Sequence, residues 1–278
     1  MARAAQLAVR TIPMFEDNFA YVLETALGGL LVVDPAEPAP VLAALAERTP
    51  TALLTTHKHE DHTSGNLRIV AAFPLCAVLG PRAEAEDIPA LTHAVDGGDV
   101  LDALVPGARI EVIATGCHTR GHVSYCVFPS EEVEEYGVEA PHLFCGDTLF
   151  VSGCGRFFEG DGADMLAALD AFAPLPDATL VHCGHEYTVT NCRFAAALEP
   201  EFAPAQLRLA WAEECATRGE HSVPVTLGEE RATNPFMRVR DRALAAAVAS
   251  FDGGRERGID VSEPSSVMGA LRRHKDRF

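Results

Sequence analysis

Short apolar runs broken by glycine, proline and aspartate dominate the chain from residue 7 to about residue 184. Runs of this length, bounded by turn-forming residues, are typical of buried β-strands. Strands are predicted at nine such runs: LAVRTI, FAYVLE, LLVV, TALLTT, CAVLG, IEVIAT, HVSYCVF, HLFCG and TLVHCG. Helical windows lie between some of them, at 39–47, 65–73 and 163–172. Because strands outnumber helices, we predict an α/β fold in which two packed sheets carry helices on their outer faces, a four-layer αββα sandwich.

The pattern changes after residue 184, where strand runs stop and helical windows separated by prolines follow. Four helices are predicted there, at 190–198, 203–217, 238–251 and 266–274. We therefore divide the chain into an α/β domain at 1–187 and a smaller all-helical domain at 188–278.

Composition and charge narrow the range of partners. The chain has 278 residues, of which 48% are hydrophobic, so it can bury a sizeable core. No apolar run approaches the roughly 20 residues that span a bilayer, which argues against a transmembrane protein, and no membrane partner is expected. The formal charge of −18 opposes binding to a phosphate backbone, which argues against nucleic acid as a partner.

The charge is unevenly distributed along the chain. Residues 231–278 contain ten Lys and Arg against six Asp and Glu, so the C-terminal end is a basic appendage on an acidic protein. Residues 130–140, SEEVEEYGVEA, carry five glutamates between two strand runs and are predicted to form a solvated insertion.

The eight cysteines raise the question of a thiol nucleophile. No apolar secretory segment opens the sequence, so we expect reduced thiols inside a cell. Cys117, Cys145 and Cys183 each lie within two residues of a His or Asp, which leaves a Cys/His nucleophile open as a hypothesis. The alternative is that they are small buried residues packed beside a site.

The sharpest chemical signal is THKHEDH at residues 56–62, directly after a strand run. In extended backbone, side chains two residues apart point the same way, so His57 and His59 can converge on one metal ion. The chain then offers Asp61 and His62 to a second ion. Imidazole nitrogens combined with a carboxylate suit Zn, Fe or Mn.

Three further segments place His, Asp and Cys directly after strand runs. They are CHTRGH at 117–122, CGDT at 145–148 and CGHEY at 183–187. Loops held by a rigid sheet are where metal ligands and catalytic groups are usually assembled. Each segment is a weak signal alone, but with THKHEDH they complete two three-ligand sets and add a carboxylate able to bridge them.

Longer stretches of the chain carry a resemblance to a known family. They are THxHxDH at 56–62, IPMFEDNFAYVL at 12–23, CHTRGHVSY at 117–125, GDTLFVSGCGRFFEG at 146–160, CGHEYT at 183–188, NPFMRVR at 234–240 and RRHKDRF at 272–278. The sequence resembles the hydroxyacylglutathione hydrolase, or glyoxalase II, family of the metallo-β-lactamase-fold superfamily. The first motif is shared by many hydrolases, whereas the last three stretches point to this one family.

The resemblance implies a site with two divalent metal ions, zinc in the first place and iron or manganese as alternatives. The implied ligands form two sets with one bridging residue: His57, His59 and His118; Asp61, His62 and His185; and Asp147 between them. A hydroxide shared by the ions would attack a thioester carbon, so that a protein nucleophile becomes unnecessary. Catalytic roles are implied for Asp61, Asp147 and His122. His122 and Asp34 resemble residues that orient the ligands, with an ordinary buried polar role as the alternative for Asp34.

The implied reaction is hydrolysis of S-D-lactoylglutathione and related S-2-hydroxyacylglutathiones to glutathione and D-lactate or another 2-hydroxy acid, the second step of methylglyoxal detoxification. Such thioesters are net negative, so an acidic protein needs a local cationic pocket for them. Arg272 and Lys275 are implied to contact the glycine carboxylate, and Arg156 and Tyr187 the peptide part. Phe158 stands where many relatives have Tyr, so either one hydrogen bond to glutathione is absent or the ring contributes packing alone.

Three other functions share such a motif and stay open at this point. An iron-dependent glutathione persulfide dioxygenase would need only His57, His118 and Asp147, and that class generally lacks a long helical C-terminal domain. A phosphodiesterase is disfavoured for long nucleic acids by the net charge, although small phosphodiesters are not excluded. A non-enzymatic metal-binding module would have little use for a bridging carboxylate beside a cationic pocket. We expect a monomer in the cytoplasm, with the mitochondrion as the alternative compartment.

Overall fold

A computed structural model describes residues 7–129, 140–254 and 258–278. Residues 130–139 of the predicted acidic insertion lie outside these ranges. The strands are β1 Leu7–Met14, β2 Asn18–Thr25, β3 Leu30–Val33, β4 Ala52–Leu54, β5 Ala77–Pro81, β6 His93–Val95, β7 Val100–Leu101, β8 Ala108–Ala114, β9 Val123–Pro129, β10 His142–Gly146, β11 Leu149–Phe150, β12 Gly153–Cys154, β13 Leu180–Cys183 and β14 Val225–Thr226. The helices are α1 Pro38–Leu45, α2 Glu60–Thr63, α3 Asn66–Ala72, α4 Gly162–Asp170, α5 Thr188–Leu198, α6 Ala203–Arg218, α7 Leu227–Thr233, α8 Arg242–Ser250 and α9 Pro264–Arg277.

Two six-stranded sheets form the centre of the molecule. The first has the order β1-β2-β3-β4-β5-β6, with β1 to β3 antiparallel and β3 to β6 parallel. The second has the order β14-β13-β10-β9-β8-β7 and is antiparallel except where β10 pairs with β13. Strands β11 and β12 form a separate hairpin.

The first sheet is covered on both faces. Successive side chains of a strand point to opposite faces, so alternate residues of β3 join different cores. Leu31 and Val33 pack between the two sheets, whereas Leu30 and Val32 pack against residues of α1 and α3. A strand that is buried on both faces has a continuous apolar sequence, which explains the run LLVV.

Helices cover the outer face of the second sheet. The core between the sheets continues through Met165 on α4 to Val248 on α8 and Leu271 on α9. Helices α4 and α9 approach closely at Gly162, where a Cβ atom would lie 2.3 Å from the Ser265 carbonyl oxygen. The predicted four-layer sandwich with a helical C-terminal region is therefore confirmed.

The C-terminal region differs in detail from its prediction. Strand β14 pairs with β13, so this region also extends the second sheet. Helix α8 begins at Arg242 instead of residue 238, because the Asp241 side chain accepts a hydrogen bond from the Ala243 amide at 2.8 Å and caps the helix there. The predicted division between residues 187 and 188 falls at the first residue of α5 and stays a prediction. Among the described residues, every helix is too short or too polar to cross a lipid bilayer.

Candidate active site

Loops from both sheets meet at one edge of the sandwich. Strands β3 and β4 are parallel, as are β10 and β13, so the carboxyl ends of each pair lie side by side. The predicted ligands lie on the connections at this edge: His57 and His59 after β4, Asp61 and His62 on α2, His118 between β8 and β9, Asp147 after β10, and His185 after β13.

The first predicted ligand set converges on one point. The ligand atoms of His57, His59 and His118 all lie within 4.8 Å of one another. The Nδ1 atom of His59 is 3.0 Å from the Nε2 atom of His57 and 3.0 Å from that of His118. Three ring nitrogens placed in this way could hold one cation.

The second predicted set is equally compact. The ligand atoms of Asp61, His62 and His185 also lie within 4.8 Å of one another. The Asp61 Oδ2 atom is 3.4 Å from the His185 Nε2 atom and 3.8 Å from the His62 Nε2 atom. These three residues could hold a second cation.

Asp147 lies between the two sets. Its Oδ1 atom is 3.3 Å from the His62 Nε2 atom, and its Oδ2 atom is 3.4 Å from the Nε2 atoms of His118 and His185. Gly184 permits this approach, because a Cβ atom there would lie only 2.4 Å from Asp147 Oδ1. One carboxylate therefore faces both ligand sets.

Acceptors behind the rings fix the orientation of the ligand histidines. Three such hydrogen bonds are formed: His118 Nδ1 to the Arg156 carbonyl at 3.0 Å, His62 Nδ1 to Asp34 Oδ2 at 3.0 Å, and His185 Nδ1 to Asp17 Oδ1 at 2.9 Å. Since carbonyl and carboxylate oxygens accept, each Nδ1 atom carries the hydrogen and leaves Nε2 for the cluster.

His57 is oriented through Thr56. The Thr56 hydroxyl donates to Asp34 Oδ2 at 2.7 Å, and it can therefore accept from His57 Nδ1 at 3.0 Å. The Thr56 amide also donates to Asp34 Oδ1 at 2.8 Å. Asp34 thus aligns one histidine of each set, His57 through Thr56 and His62 directly.

The electrostatics of the cluster favour positive charge. Burial opposes protonation of His62, but the Asp147 and Asp34 carboxylates outweigh it and raise its pKa well above the ordinary value. The same competition raises the pKa of His185 to about 10. Burial alone would raise the pKa of Asp147, whereas the neighbouring His62 and His185 charges hold it well below its usual range.

The residues of the cluster fit divalent cations. The buried His62 Nε2 and Asp147 Oδ1 atoms have no hydrogen-bond partner, although they lie 3.3 Å apart, and such orphaned groups are rare in folded proteins. Burial lowers the pKa values of His57 and His118, which keeps their rings in the neutral form that binds metal. Imidazole and carboxylate donors in this combination suit zinc, iron or manganese.

His122 supports the cluster from behind. Its Nε2 atom accepts a hydrogen bond from the Asp147 amide at 3.2 Å, and its Nδ1 atom lies 2.9 Å from the Thr115 hydroxyl. Its ring stacks on that of His57, with the centroids 4.7 Å apart. With both ring nitrogens engaged, His122 is placed to position Asp147, and the catalytic role implied by the resemblance stays a prediction.

Three supporting residues were not singled out from the sequence. Asn18 donates from Nδ2 to Asp61 Oδ2 and to the Asp61 carbonyl, both at 3.1 Å, and Asp17 holds His185. Asp17 is the last residue of the turn between β1 and β2 and Asn18 is the first residue of β2, a place where polar residues ordinarily signal only a turn. The matching stretch IPMFEDNFAYVL was the available clue to them.

Glu84 is the third of these residues. It is buried, and its two carboxylate oxygens accept from the Lys58 amide and the Gly121 amide, each at 2.8 Å. One carboxylate therefore ties the loop after β4 to the connection between β8 and β9, and these two segments carry the whole first ligand set.

We expect Glu84→Gln to lower the zinc affinity of the first ligand set by about 10- to 100-fold, the usual effect of losing a supporting contact. The amide retains one acceptor and turns a donor towards the other backbone N–H. Titration of the metal-free protein with zinc against a competing chelator measures the zinc affinity. Glu111→Gln, on β8 and paired with Arg109, is the matched control; equal affinities in the two variants would contradict the role of Glu84.

The cysteines do not offer a nucleophile. All eight are buried and none forms a disulfide. Burial raises the pKa of Cys117 and of Cys183 to about 12, and that of Cys145 well above its ordinary value. The thiols donate weakly to backbone carbonyls instead, as Cys145 does to Leu149 at 3.1 Å. The interpretation of these residues as packing beside a site is the one that the structure favours.

A cavity of about 540 Å³ lies beside the first ligand set. Its charged lining residues are Arg156, Arg272, Arg273, Asp161 and Asp276. Phe158 also lines it, and the Phe158 ring lies 5.0 Å from the His118 ring and 5.9 Å from the His59 ring. Phe158, which is 59% exposed, therefore stands between the cavity and the candidate metal ligands.

The five predicted substrate-binding residues are not all brought together. Arg156, Phe158 and Arg272 line the cavity, but Tyr187 and Lys275 are absent from its lining among the described residues. The Tyr187 ring instead stacks on His185 at 4.8 Å, over the second ligand set. The Lys275 ammonium donates to the Thr190 carbonyl at 3.1 Å, and burial lowers its pKa to about 8.

Two family models together span almost the whole chain. Residues 15–185 match the model described as "Metallo-beta-lactamase superfamily", and residues 186–278 match the one described as "Hydroxyacylglutathione hydrolase C-terminus". Two curated relatives named hydroxyacylglutathione hydrolase are similar over their full length. The protein from Synechococcus sp. is 41% identical and covers 98% of this chain and 100% of its own. The protein from Cupriavidus taiwanensis is 40% identical and covers 98% and 99%.

Solved structures of lower identity share the fold. A metallo-beta-lactamase from Staphylococcus aureus is 19% identical with a TM-score of 0.61, and the match covers 96% of this chain and 73% of that one. ETHE1 from Myxococcus xanthus is 20% identical with a TM-score of 0.60, covering 96% and 98%. These structures confirm the fold, whereas the family models and the sequence relatives identify the family. The chain belongs to the hydroxyacylglutathione hydrolase family of the metallo-β-lactamase superfamily.

Proposed function

We propose that the protein hydrolyses S-D-lactoylglutathione, and related S-2-hydroxyacylglutathiones, to glutathione and D-lactate or the corresponding 2-hydroxy acid. The observation that carries the proposal is the position of Asp147, which lies 3.3 to 3.4 Å from histidines of both ligand sets. An arginine-lined cavity adjoins one of these sets. The shared name of the full-length relatives supports the same activity.

We further propose two divalent metal ions per chain, zinc in the first place. The proposed ligands are His57, His59 and His118 for one ion and Asp61, His62 and His185 for the other, with Asp147 facing both. When bound, such cations lower the pKa of coordinated water to about 7 and polarise a carbonyl oxygen.

The protein's own contribution is preorganisation. Asp34, Asp17 and the Arg156 carbonyl anchor the ligand rings from behind, so the donor atoms need little rearrangement when the reaction begins. The leaving group is a thiolate, whose conjugate thiol has a pKa of about 8.5, so it can depart without a protein acid. This agrees with His122 being fully engaged in hydrogen bonds.

Substrate binding is assigned to the cavity. Arg272 would face the glycine carboxylate of glutathione and Arg156 its peptide part, and Phe158 would pack against the chain that leads to the thioester. We also propose that Lys275 contacts the glycine carboxylate. To do so, its ammonium would have to give up its hydrogen bond to the Thr190 carbonyl. Tyr187 would contact substrate from above the second ligand set.

We expect Arg272→Gln to raise KM for S-D-lactoylglutathione by about 10- to 100-fold and to change kcat little, because a charge-assisted hydrogen bond contributes roughly 1.5–3 kcal/mol to binding. Steady-state kinetics measures both constants. Arg272→Lys should recover part of the affinity, and Arg240→Gln, at a surface ion pair with Asp170, should have wild-type kinetics. An unchanged KM in Arg272→Gln would remove this residue from the binding site.

The test of the function is an assay of the zinc-loaded protein with S-D-lactoylglutathione, in which glutathione and D-lactate are both quantified. Equal amounts of the two products are expected. A parallel assay supplies the iron-loaded protein with glutathione persulfide and follows oxygen uptake. Oxygen uptake without thioester hydrolysis would replace the hydrolase with the persulfide dioxygenase. The catalytic and glutathione-binding roles of residues 1–187 and 188–278, the monomeric state and the compartment stay predictions.

A further inference from the structure

Asp276 occupies the point where two arginines of the cavity approach each other. Its Oδ1 atom lies 2.9 Å from Arg272 Nη2 and 3.7 Å from Arg156 Nε. Arg272 belongs to α9 and Arg156 to the loop after β12, so one carboxylate links two walls of the cavity. The Asp276 side chain is 41% exposed, and it lines the cavity that a substrate would enter.

Asp276 also limits the charge of the cavity. Three arginines and two aspartates line it, which leaves one formal positive charge. The other aspartate, Asp161, is committed to capping α4, since it accepts from the Ala163 amide at 2.7 Å. Asp276 is therefore the acidic residue of the lining that faces the arginines.

The single net positive charge of the cavity lining matches the charge of a glutathione thioester better than that of other thiol carriers. A glutathione thioester has two carboxylates and one ammonium, hence one net negative charge. A coenzyme A thioester carries several negative charges on its phosphates. A cavity without the Asp276 carboxylate would be more positive and would attract coenzyme A more strongly than the wild-type cavity does. Like charges placed opposite each other are a common means of rejecting a wrong ligand.

We propose that Asp276 is a specificity-determining residue that disfavours polyanionic carriers such as coenzyme A relative to glutathione. The inference rests on the proposed function, because it concerns the carrier half of the same thioester. Asp276 competes with any incoming carboxylate for Arg272, and it repels a ligand with several negative charges more than a ligand with one.

The experiment compares Asp276→Asn with the wild type in hydrolysis of S-D-lactoylglutathione, inhibited by free coenzyme A or by free glutathione. The inhibition constant of coenzyme A is expected to fall about five- to tenfold in the variant, and that of glutathione by no more than about threefold. The difference between the variant and the wild type in the inhibition constant of coenzyme A should shrink as ionic strength rises, because salt screens exposed charges. A purely structural effect on α9 would not depend on salt in this way.

Two controls accompany the variant. Asp276→Glu keeps the charge and should keep the wild-type preference. Asp170→Asn removes a carboxylate of similar exposure that pairs with Arg240 outside the cavity, and it should leave both inhibition constants unchanged.

Equal changes for the two inhibitors, no change for either, or an effect independent of salt would overturn the role of Asp276. These results are distinguishable from a failure of the proposed function. Absence of S-D-lactoylglutathione hydrolysis by the wild type would reject the function itself, whereas normal hydrolysis with an unaltered inhibitor preference would reject only the inference about Asp276.

Discussion

Asp147→Ala is expected to lower the rate of S-D-lactoylglutathione hydrolysis by at least about a thousandfold. Asp147 is the carboxylate within 3.4 Å of histidines from both ligand sets, so its loss separates the two halves of the site. Stabilisation of charge by bound cations contributes several kcal/mol to such reactions, and each 1.36 kcal/mol corresponds to a tenfold change in rate. The measurement is kcat/KM at saturating zinc, together with the zinc content of the purified variant.

The controls for this prediction concern folding. Asp147→Asn keeps the shape of the side chain and should lose almost as much activity, because an amide cannot supply the charge. Circular dichroism should report the wild-type sandwich in both variants, since the core between the sheets does not depend on Asp147. Full activity in a folded Asp147→Ala protein would disprove the proposed mechanism.

Removal of metal by a chelator is expected to abolish hydrolysis and to lower Tm. The proposed ligands of each set come from loops of both sheets, so bound cations would link the two sheets. A ligand at about 1,000 times its Kd stabilises the folded state by about 4 kcal/mol. Differential scanning calorimetry with and without zinc, combined with elemental analysis, measures the stabilisation and the number of ions per chain.

Addition of zinc should restore both activity and Tm. The Asp147→Ala variant serves as the control, because zinc should raise its Tm less than that of the wild type. Undiminished hydrolysis by a protein whose metal content is below detection would refute metal dependence. Binding of a single ion per chain at full activity would refute the two-ion proposal while leaving the hydrolase intact.

Most of the sandwich could be predicted because its strands are continuous apolar runs bounded by turn residues. The elements that escaped prediction are mostly two or three residues long, such as β7 and β14, and so are shorter than any periodic pattern. Helix α7 is different, since Thr226 and Glu229 form a capping box that the sequence TLGE displays.

The candidate metal ligands could be predicted from local sequence motifs, whereas the residues that hold those ligands in place could not. The ligands are concentrated in short motifs directly after strands, where residue type and spacing carry the information. Glu84 and Asn18 act on residues 26 and 43 positions away in the sequence, so no local pattern marks them. Lys275 is a neighbour of Arg272 on α9, because residues three apart lie close together on a helix. It lies on the flank of Arg272 away from the cavity-lining residues 273 and 276, so sequence spacing alone could not separate it from the cavity.

The burial of all eight thiols has a consequence for a protein that handles activated acyl groups. Thioesters transfer their acyl group to any accessible thiolate, so a surface cysteine near the cavity would be acylated by the substrate itself. Burial of the thiols disfavours that side reaction, and it also raises the pKa values of Cys117, Cys145 and Cys183, whose reactive form is the thiolate. The chain can therefore concentrate its substrate without presenting an accessible thiol to it.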